Sequence, residues 1–288
     1  MARVAMFGLG NMGLPIAECL LSRGHELVTA VHSSTKGPDR VKELGGSIAD
    51  SPYEAVQGAD YIITCVPADA HLKAFLLDPQ MIEAVQPGQT IIDLSTTAAD
   101  SVKEAAAPYL AKGVKFIDAP LTGQPVHAYV GGITLLCGCT KDTYDEAKDF
   151  MCTFSKNQWY VGDVGSGKIS KLCNNMITAT NKLMVGEMCK VVKANGVDPD
   201  GFKNVISTSP NHNAQFDLVW DVVSVDNFEP KFALKLMRKD TRLANALMTG
   251  LNCELFELVY KMYRRAGAIE GLDELDCNAV VKAEDMPV

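Results

Sequence analysis

Gly162-Asp163-Val164-Gly165-Ser166-Gly167-Lys168-Ile169-Ser170-Lys171-Leu172-Cys173-Asn174-Asn175 is the stretch at which the 288-residue chain changes character. Before it, short apolar runs alternate with helical segments; after it, the periodicity is helical almost throughout. Glycines open a helix here, and Lys171 and Asn175, four residues apart, share one helical face. A lysine in a helix is ordinarily a solvated charge. Lys171, however, follows a glycine pair at a domain junction and lies in an otherwise apolar register. Removal from water lowers a lysine's pKa toward neutrality, as a lysine general base requires. The stretch is therefore expected to carry the catalytic base of a two-domain enzyme, with Asn175 able to position a substrate hydroxyl or carbonyl.

Downstream, apolar positions such as Ile169, Leu172, Met176, Leu183, Met188 and Val192 sustain helical spacing from about Gly167 to Asn195, where Asn195-Gly196 reads as a C-cap. A helix of ~29 residues is ~44 Å long, a spine for an all-helical domain. Further helices are predicted over 200–207, 215–223, 232–248, 253–266 and 276–282. The domains are placed at 1–163 and 164–288, joined through the long helix.

Upstream, Arg3-Val4-Ala5-Met6-Phe7 reads as a buried strand, and Gly8-Leu9-Gly10-Asn11-Met12-Gly13 follows at once. A helix from about Leu14 to Arg23, with Pro15 in its first turn, precedes a second strand from Glu26 to Val31. A lone GxGxxG is weak evidence, but strand, glycine turn, helix and strand together make the dinucleotide-binding fingerprint. Gly8 permits the turn, Gly10 lets a pyrophosphate approach, and Gly13 lets helix pack on strand. The free N–H groups of that helix then face the phosphates. Further strands at 60–66, 90–94, 114–118, 133–137 and 159–161 complete an α/β, Rossmann-type doubly wound sheet. Its strand ends put Val66-Pro67, Ser95-Thr96 and Asp118-Ala119-Pro120 beside the cofactor.

An acidic residue at the end of the second strand would accept a ribose 2′-hydroxyl, and none is present. His32, Ser33, Ser34 and Lys36, with Arg40 one turn onward, suit a 2′-phosphate, so NADP is favoured and NAD is the alternative. The turn Thr122-Gly123-Gln124 is rich in hydroxyl, amide and backbone donors and could hold a small anion such as a carboxylate.

Composition bounds the alternatives. With 47% hydrophobic and 22% charged residues the chain is globular rather than disordered. A net charge of −8 argues against nucleic acid or an anionic membrane as partner. No apolar run approaches a membrane span, and the N-terminal apolar run is too short for a signal peptide. The nine cysteines are odd in number and poorly spaced for a disulfide framework or a zinc site, so no metal is expected and the location read is cytoplasmic.

Taken in order, Phe7-Gly8-Leu9-Gly10-Asn11-Met12-Gly13-Leu14-Pro15-Ile16-Ala17, Asp93-Leu94-Ser95-Thr96, Asp118-Ala119-Pro120, Gly165 to Asn175 and Lys239-Asp240 resemble the β-hydroxyacid dehydrogenases over essentially the whole chain. That resemblance implies NAD(P)-dependent interconversion of a small anionic β-hydroxy compound and its aldehyde or ketone. Lys171 matches the catalytic lysine, Asn175 a substrate-binding residue, and Thr122, Gly123 and Gln124 the anion clamp. Thr96 and Lys239 match positions near the nicotinamide and its ribose, and Phe232 a wall of that pocket. A homodimer or homotetramer is implied as well. The chain departs from the family where Gln124 replaces a glycine, near His127, and in the polar patch 209–213, and these departures bear on the substrate. An imine reductase of the same architecture and a non-catalytic cofactor-binding module are the alternatives; Lys171 argues against both.

Overall fold

The computed structural model describes residues 1–285. Nine strands form one sheet: β1 (Arg3–Phe7), β2 (Glu26–Ala30), β3 (Ser47–Ala49), β4 (Tyr61–Thr64), β5 (Thr90–Asp93), β6 (Lys115–Asp118), β7 (Leu121–Thr122), β8 (Thr134–Gly138) and β9 (Asn157–Gly162). Their order is β3-β2-β1-β4-β5-β6-β8-β7, with β9 on the far side of β8. Strands β1 to β6 are parallel to one another, β8 is antiparallel to β6 and β7, and β9 is parallel to β8. The parallel part is the doubly wound arrangement in which the winding reverses between β1 and β4.

Period-two alternation divides each strand between two cores. Val4, Met6, Ile63, Ile92 and Ile117 point to one face, where Ile16 and Leu20 of the helix Gly13–Ser22 cover them. Ala5, Phe7, Ile62, Ile91 and Phe116 point to the other, under Val102 and Tyr109 of the helix Ala99–Ala111. A sheet covered on both faces needs such unbroken apolar strands. The strands β3 and β7 and the helices Lys36–Glu43 and Lys141–Met151 add to the elements read from the sequence. Strand β7 has two residues and β3 three, too few to show a period. Lys36 is the first residue of a helix.

The chain divides into two units, residues 1–171 and 172–288. The division lies inside the long helix Ser166–Ala194 rather than at 163/164. The second unit holds the rest of the long helix and the helices Pro199–Ser207, Ala214–Val223, Leu234–Leu247 and Glu254–Ala266. Asp198 and Asn213 start two of them by accepting N–H bonds, from Gly201 at 2.8 Å and from Gln215 and Phe216 at 3.0 Å. The final element, read as an ordinary helix, is a 3₁₀ helix, Cys277–Asp285. Asp276 fixes its start: its carboxylate accepts N–H bonds from Lys231, Phe232 and Asn278 at 3.0–3.1 Å. The buried Lys182 of the long helix then donates to Asn278 Oδ1 at 2.7 Å.

Candidate active site

The glycine turn has the shape a pyrophosphate needs. At Gly8, where φ is +87°, a Cβ would lie 2.2 Å from the Cys65 carbonyl oxygen, so β1 and β4 approach too closely for any side chain. At Gly13 a Cβ would lie 2.0 Å from the Gly8 oxygen, which closes helix onto strand. Gly10 is the exception: an added Cβ would meet nothing within 4 Å. The two outer glycines are thus required by the protein's own packing, whereas the middle one faces open space. Nor does a side chain cap the helix that follows, and no acidic residue lies in its first turn, so no side-chain charge or cap competes with an anion at its start, although Leu14 donates its N–H to the Gly10 carbonyl at 3.0 Å. The observed residues fit a bound dinucleotide.

Around the turn, Leu9 is half-buried beneath Gly37, where a Cβ would come within 2.6 Å of it, while Asn11 is exposed and Met12 half-buried. His32, Ser33, Ser34 and Lys36 are exposed at the carboxyl end of β2. Arg40, read as part of this cationic group, is instead engaged by Glu18 at 3.1 Å and Glu43 at 3.2 Å. Val66 donates its N–H to Ser95 Oγ at 2.9 Å, Pro67 is exposed, and Thr96 is half-buried.

Beneath these strand ends lies a group that sequence reading missed. Lys168 is fully buried, with its ammonium 2.8 Å from Asp93 Oδ2 and 3.1 Å from Asp118 Oδ1; both carboxylates are fully buried too. Lys168 also donates to the Asp93 carbonyl at 3.0 Å. The other Asp118 oxygen accepts from the N–H groups of Gly165, Gly167 and Lys168 at 2.7, 3.1 and 3.3 Å. Asp118 was expected to face the cofactor from its strand end. Its side chain instead caps the long helix from a neighbouring element, satisfying donors that every helix start leaves orphaned. Burial alone would depress the Lys168 ammonium, but Asp93 and Asp118 outweigh it and hold the pKa above the ordinary value. Burial also raises Asp118, with Lys168 pulling the other way. Asp93 ties the group to the strand ends: its Oδ1 accepts from the buried Thr64 Oγ1 at 2.7 Å and Ser95 Oγ at 2.6 Å.

Gly167 has no room for a side chain, since a Cβ would lie 2.4 Å from the Asp118 carbonyl oxygen and 2.5 Å from that of Leu136. The glycines of the 162–167 stretch thus allow the helix start to seat against β6 and β8. Lys171 lies one turn beyond Lys168 and is half-buried, so it is Lys168, and not Lys171, that is withdrawn from water.

Thr122, half-buried, pairs with Thr134 across the β7–β8 ladder, while Gly123 and Gln124 are exposed. Gly123 adopts φ +140°, and a Cβ there would lie 3.0 Å from Ile133 Cγ2.

In the second unit the structure brings together Asn175, Lys239 and Asp240. Asn175, 6% exposed, donates from Nδ2 to Asp240 Oδ2 at 2.7 Å, and Lys239 Nζ lies 3.2 Å from Asp240 Oδ1. The amide of Asn175 is thereby oriented, with Nδ2 committed to a carboxylate. Asp240 was visible only as half of a Lys-Asp pair; its position, 65 residues from Asn175, carried no local signal. Phe232, half-buried, is held by its N–H bond to Asp276 at 3.1 Å and by accepting from the Cys277 N–H at 2.8 Å. Among the described residues no group of three or more His, Cys, Asp or Glu side chains is placed to hold a metal.

Family models match both parts of the chain: the NAD binding domain of 6-phosphogluconate dehydrogenase over residues 3–162, and the NAD-binding domain of NADP-dependent 3-hydroxyisobutyrate dehydrogenase over 165–283. The chain belongs to the β-hydroxyacid dehydrogenase family. It is an NAD(P)-dependent dehydrogenase acting on CH–OH groups, and its chemistry is the oxidoreduction of hydroxy acids. It is 30% identical to the mitochondrial 3-hydroxyisobutyrate dehydrogenase of Mus musculus, covering 91% of this chain and 81% of that one. To the NAD-dependent L-serine dehydrogenase of Pseudomonas aeruginosa it is 28% identical, over 99% and 98% of the two chains. The solved Mycobacterium tuberculosis 3-hydroxyisobutyrate dehydrogenase with L-serine shares the fold at a TM-score of 0.90 and 24% identity, over 99% and 100% of the chains. Imine reductases are more distant in fold; that of Bacillus cereus gives a TM-score of 0.65 at 15% identity over 99% of each chain.

The buried ion group yields a stability test. Lys168→Met leaves two buried carboxylates without their cation, and removing one partner of such a group costs about 3–5 kcal/mol. A lowered urea midpoint and a lowered Tm, followed by circular dichroism, are the expected results.

Proposed function

We propose that the protein is an NADP-preferring dehydrogenase or reductase of a small carboxylate-bearing β-hydroxy compound, with Lys171 as general acid and base. The observation that carries this reading is the anchoring of the long helix. Asp118 and Lys168 fix its first turn by bonds of 2.7–3.3 Å, so Lys171 occupies a set position one turn later. When bound, the nicotinamide supplies hydride acceptance or donation. In oxidation the neutral amine of Lys171 takes the substrate's hydroxyl proton as hydride departs; in reduction the ammonium returns a proton to the carbonyl oxygen. Thr122, Gly123 and Gln124 hold the carboxylate, and Asn175, one turn beyond Lys171 on the same helix, orients the reacting oxygen.

The cofactor is held by Gly8, Leu9, Gly10, Asn11, Met12 and Gly13 at the pyrophosphate, with Val66, Pro67 and Thr96 at the neighbouring strand ends and Phe232 and Lys239 toward the nicotinamide. His32, Ser33, Ser34 and Lys36 receive the 2′-phosphate. What supports NADP is the absence of a carboxylate at the end of β2 and the exposed cation of Lys36 in that segment; Arg40, engaged by Glu18 and Glu43, adds nothing to it. The imine-reductase reading has less support, because it does without the lysine.

We place the protein in the cytoplasm. All nine cysteines are free thiols, as in a reducing compartment, and no helix among the described residues is long and apolar enough to cross a membrane. We further propose a homo-oligomer. Ile177, Met184 and Val191, 58%, 43% and 62% exposed, recur every seven residues along one face of the long helix. That apolar stripe suits a second copy of the same helix, a pairing that buries both, with the exposed Glu187 at its margin.

Three measurements test these points. Lys171→Ala is expected to lower kcat by about 10²–10⁴ with its fold intact, followed by absorbance of the reduced cofactor on a panel of hydroxy acids and semialdehydes. Full activity in that variant would remove Lys171 from the mechanism. The KM for NADPH is expected to lie at least tenfold below that for NADH, and equal values would make the 32–36 segment a mere solvated loop. Ile177→Glu with Met184→Glu is expected to shift the species seen by light scattering toward monomer.

A further inference from the structure

The turn Thr122-Gly123-Gln124 carries a residue pair that an anion clamp does not need. Gln124 donates its backbone N–H to the imidazole Nδ1 of His127 at 3.2 Å. The His127 backbone is itself held: its N–H donates to the Gln124 carbonyl at 2.9 Å, and its carbonyl accepts from Gly132 at 2.7 Å. At Gly132 a Cβ would lie 3.2 Å from the His127 oxygen and 3.5 Å from its Cβ, so the segment opposite is drawn close against this residue. The ring is thus set over the turn by its own backbone. An imidazole that accepts at Nδ1 carries its proton on Nε2.

We infer that His127 is a specificity-determining residue: its imidazole withholds the Gln124 N–H from the substrate's carboxylate. This rests on the reading of residues 122–124 as the clamp. A carboxylate that binds there must either do without the Gln124 backbone donor or displace the ring and forfeit an existing hydrogen bond. In both cases the binding of a compact carboxylate is weakened relative to a clamp in which the Gln124 N–H stands free. Chemistry at Lys171 is untouched, because the ring acts on how the substrate is seated and not on the proton transfer. Gln124 adds to the selection, since its exposed side chain stands at the same position as the engaged N–H. The substrate class favoured is therefore one that engages this turn without the Gln124 N–H, or offers a group of its own to the His127 ring.

The test separates acceptor chemistry from mere bulk. His127→Ala removes the acceptor and frees the Gln124 N–H, whereas His127→Asn places a carbonyl oxygen near the position of Nδ1. With 3-hydroxyisobutyrate, 3-hydroxypropanoate and L-serine as substrates, His127→Ala is expected to lower KM about three- to tenfold for whichever is turned over, the scale of one hydrogen bond. Its kcat is expected to stay within about twofold, and the KM for NADPH to be unchanged. His127→Asn is expected to retain the wild-type KM. An unchanged KM in His127→Ala, or equal losses of kcat in both variants, overturns the inference while leaving the dehydrogenase reading in place. Absence of turnover by the wild type on all three acids and on the wider hydroxy-acid panel overturns the reading itself, and the inference with it.

Discussion

The ion group of Lys168, Asp93 and Asp118 is the constraint on which the rest of the first unit depends. Three charged side chains, each with no exposed surface, lie where β5, β6 and the start of the long helix converge. Their burial is costly unless every charge and lone pair is matched. Here the matching is done by the fold: two carboxylates surround one ammonium, and the oxygen left on Asp118 caps three backbone N–H groups. An arrangement so particular tolerates one register of the helix against the sheet. That single register sets the position of Lys171.

From the same group the strand ends are organised. Asp93 holds Thr64 and Ser95, and Ser95 holds the Val66 N–H, so the ends of β4 and β5 are locked side by side. Beside them Gly8 brings β1 against the Cys65 carbonyl. The ends of β4 and β5 are thus tied beneath to a buried polar network, and the glycine turn is held by close backbone packing. Rigid support of this kind is what hydride and proton transfer require, because small misplacements of reacting groups are expensive.

Much of this was legible in the chain. The glycine fingerprint, the alternating strands and the long amphipathic helix are local signals, and every strand of five or more residues was found. Strands β3 and β7 escaped because two or three residues cannot express a period. The family's motifs also fixed the order of the site's parts. The exchange of roles between two lysines was not legible. Lys168 and Lys171 are neighbours on one helix, and sequence reading took Lys171 as the desolvated one. The partners that bury Lys168 lie 75 and 50 residues away, a separation that carries no local trace.

The one-dimensional pattern settled the class of cofactor and the two-part architecture, because each depends on spacing within a few turns of chain. It also marked Gly8 and Gly13, where the tight strand-to-helix turn admits no side chain. Long-range proximity decided the remainder: which lysine is withdrawn from water, that Asp118 caps a helix, that Asn175 is oriented by Asp240, and that His127 reaches back to Gln124. The physical reason is the same in each case. Desolvation and hydrogen bonding are set by what surrounds a group in space, and the surroundings of a buried charge come from strands and helices far apart in the chain.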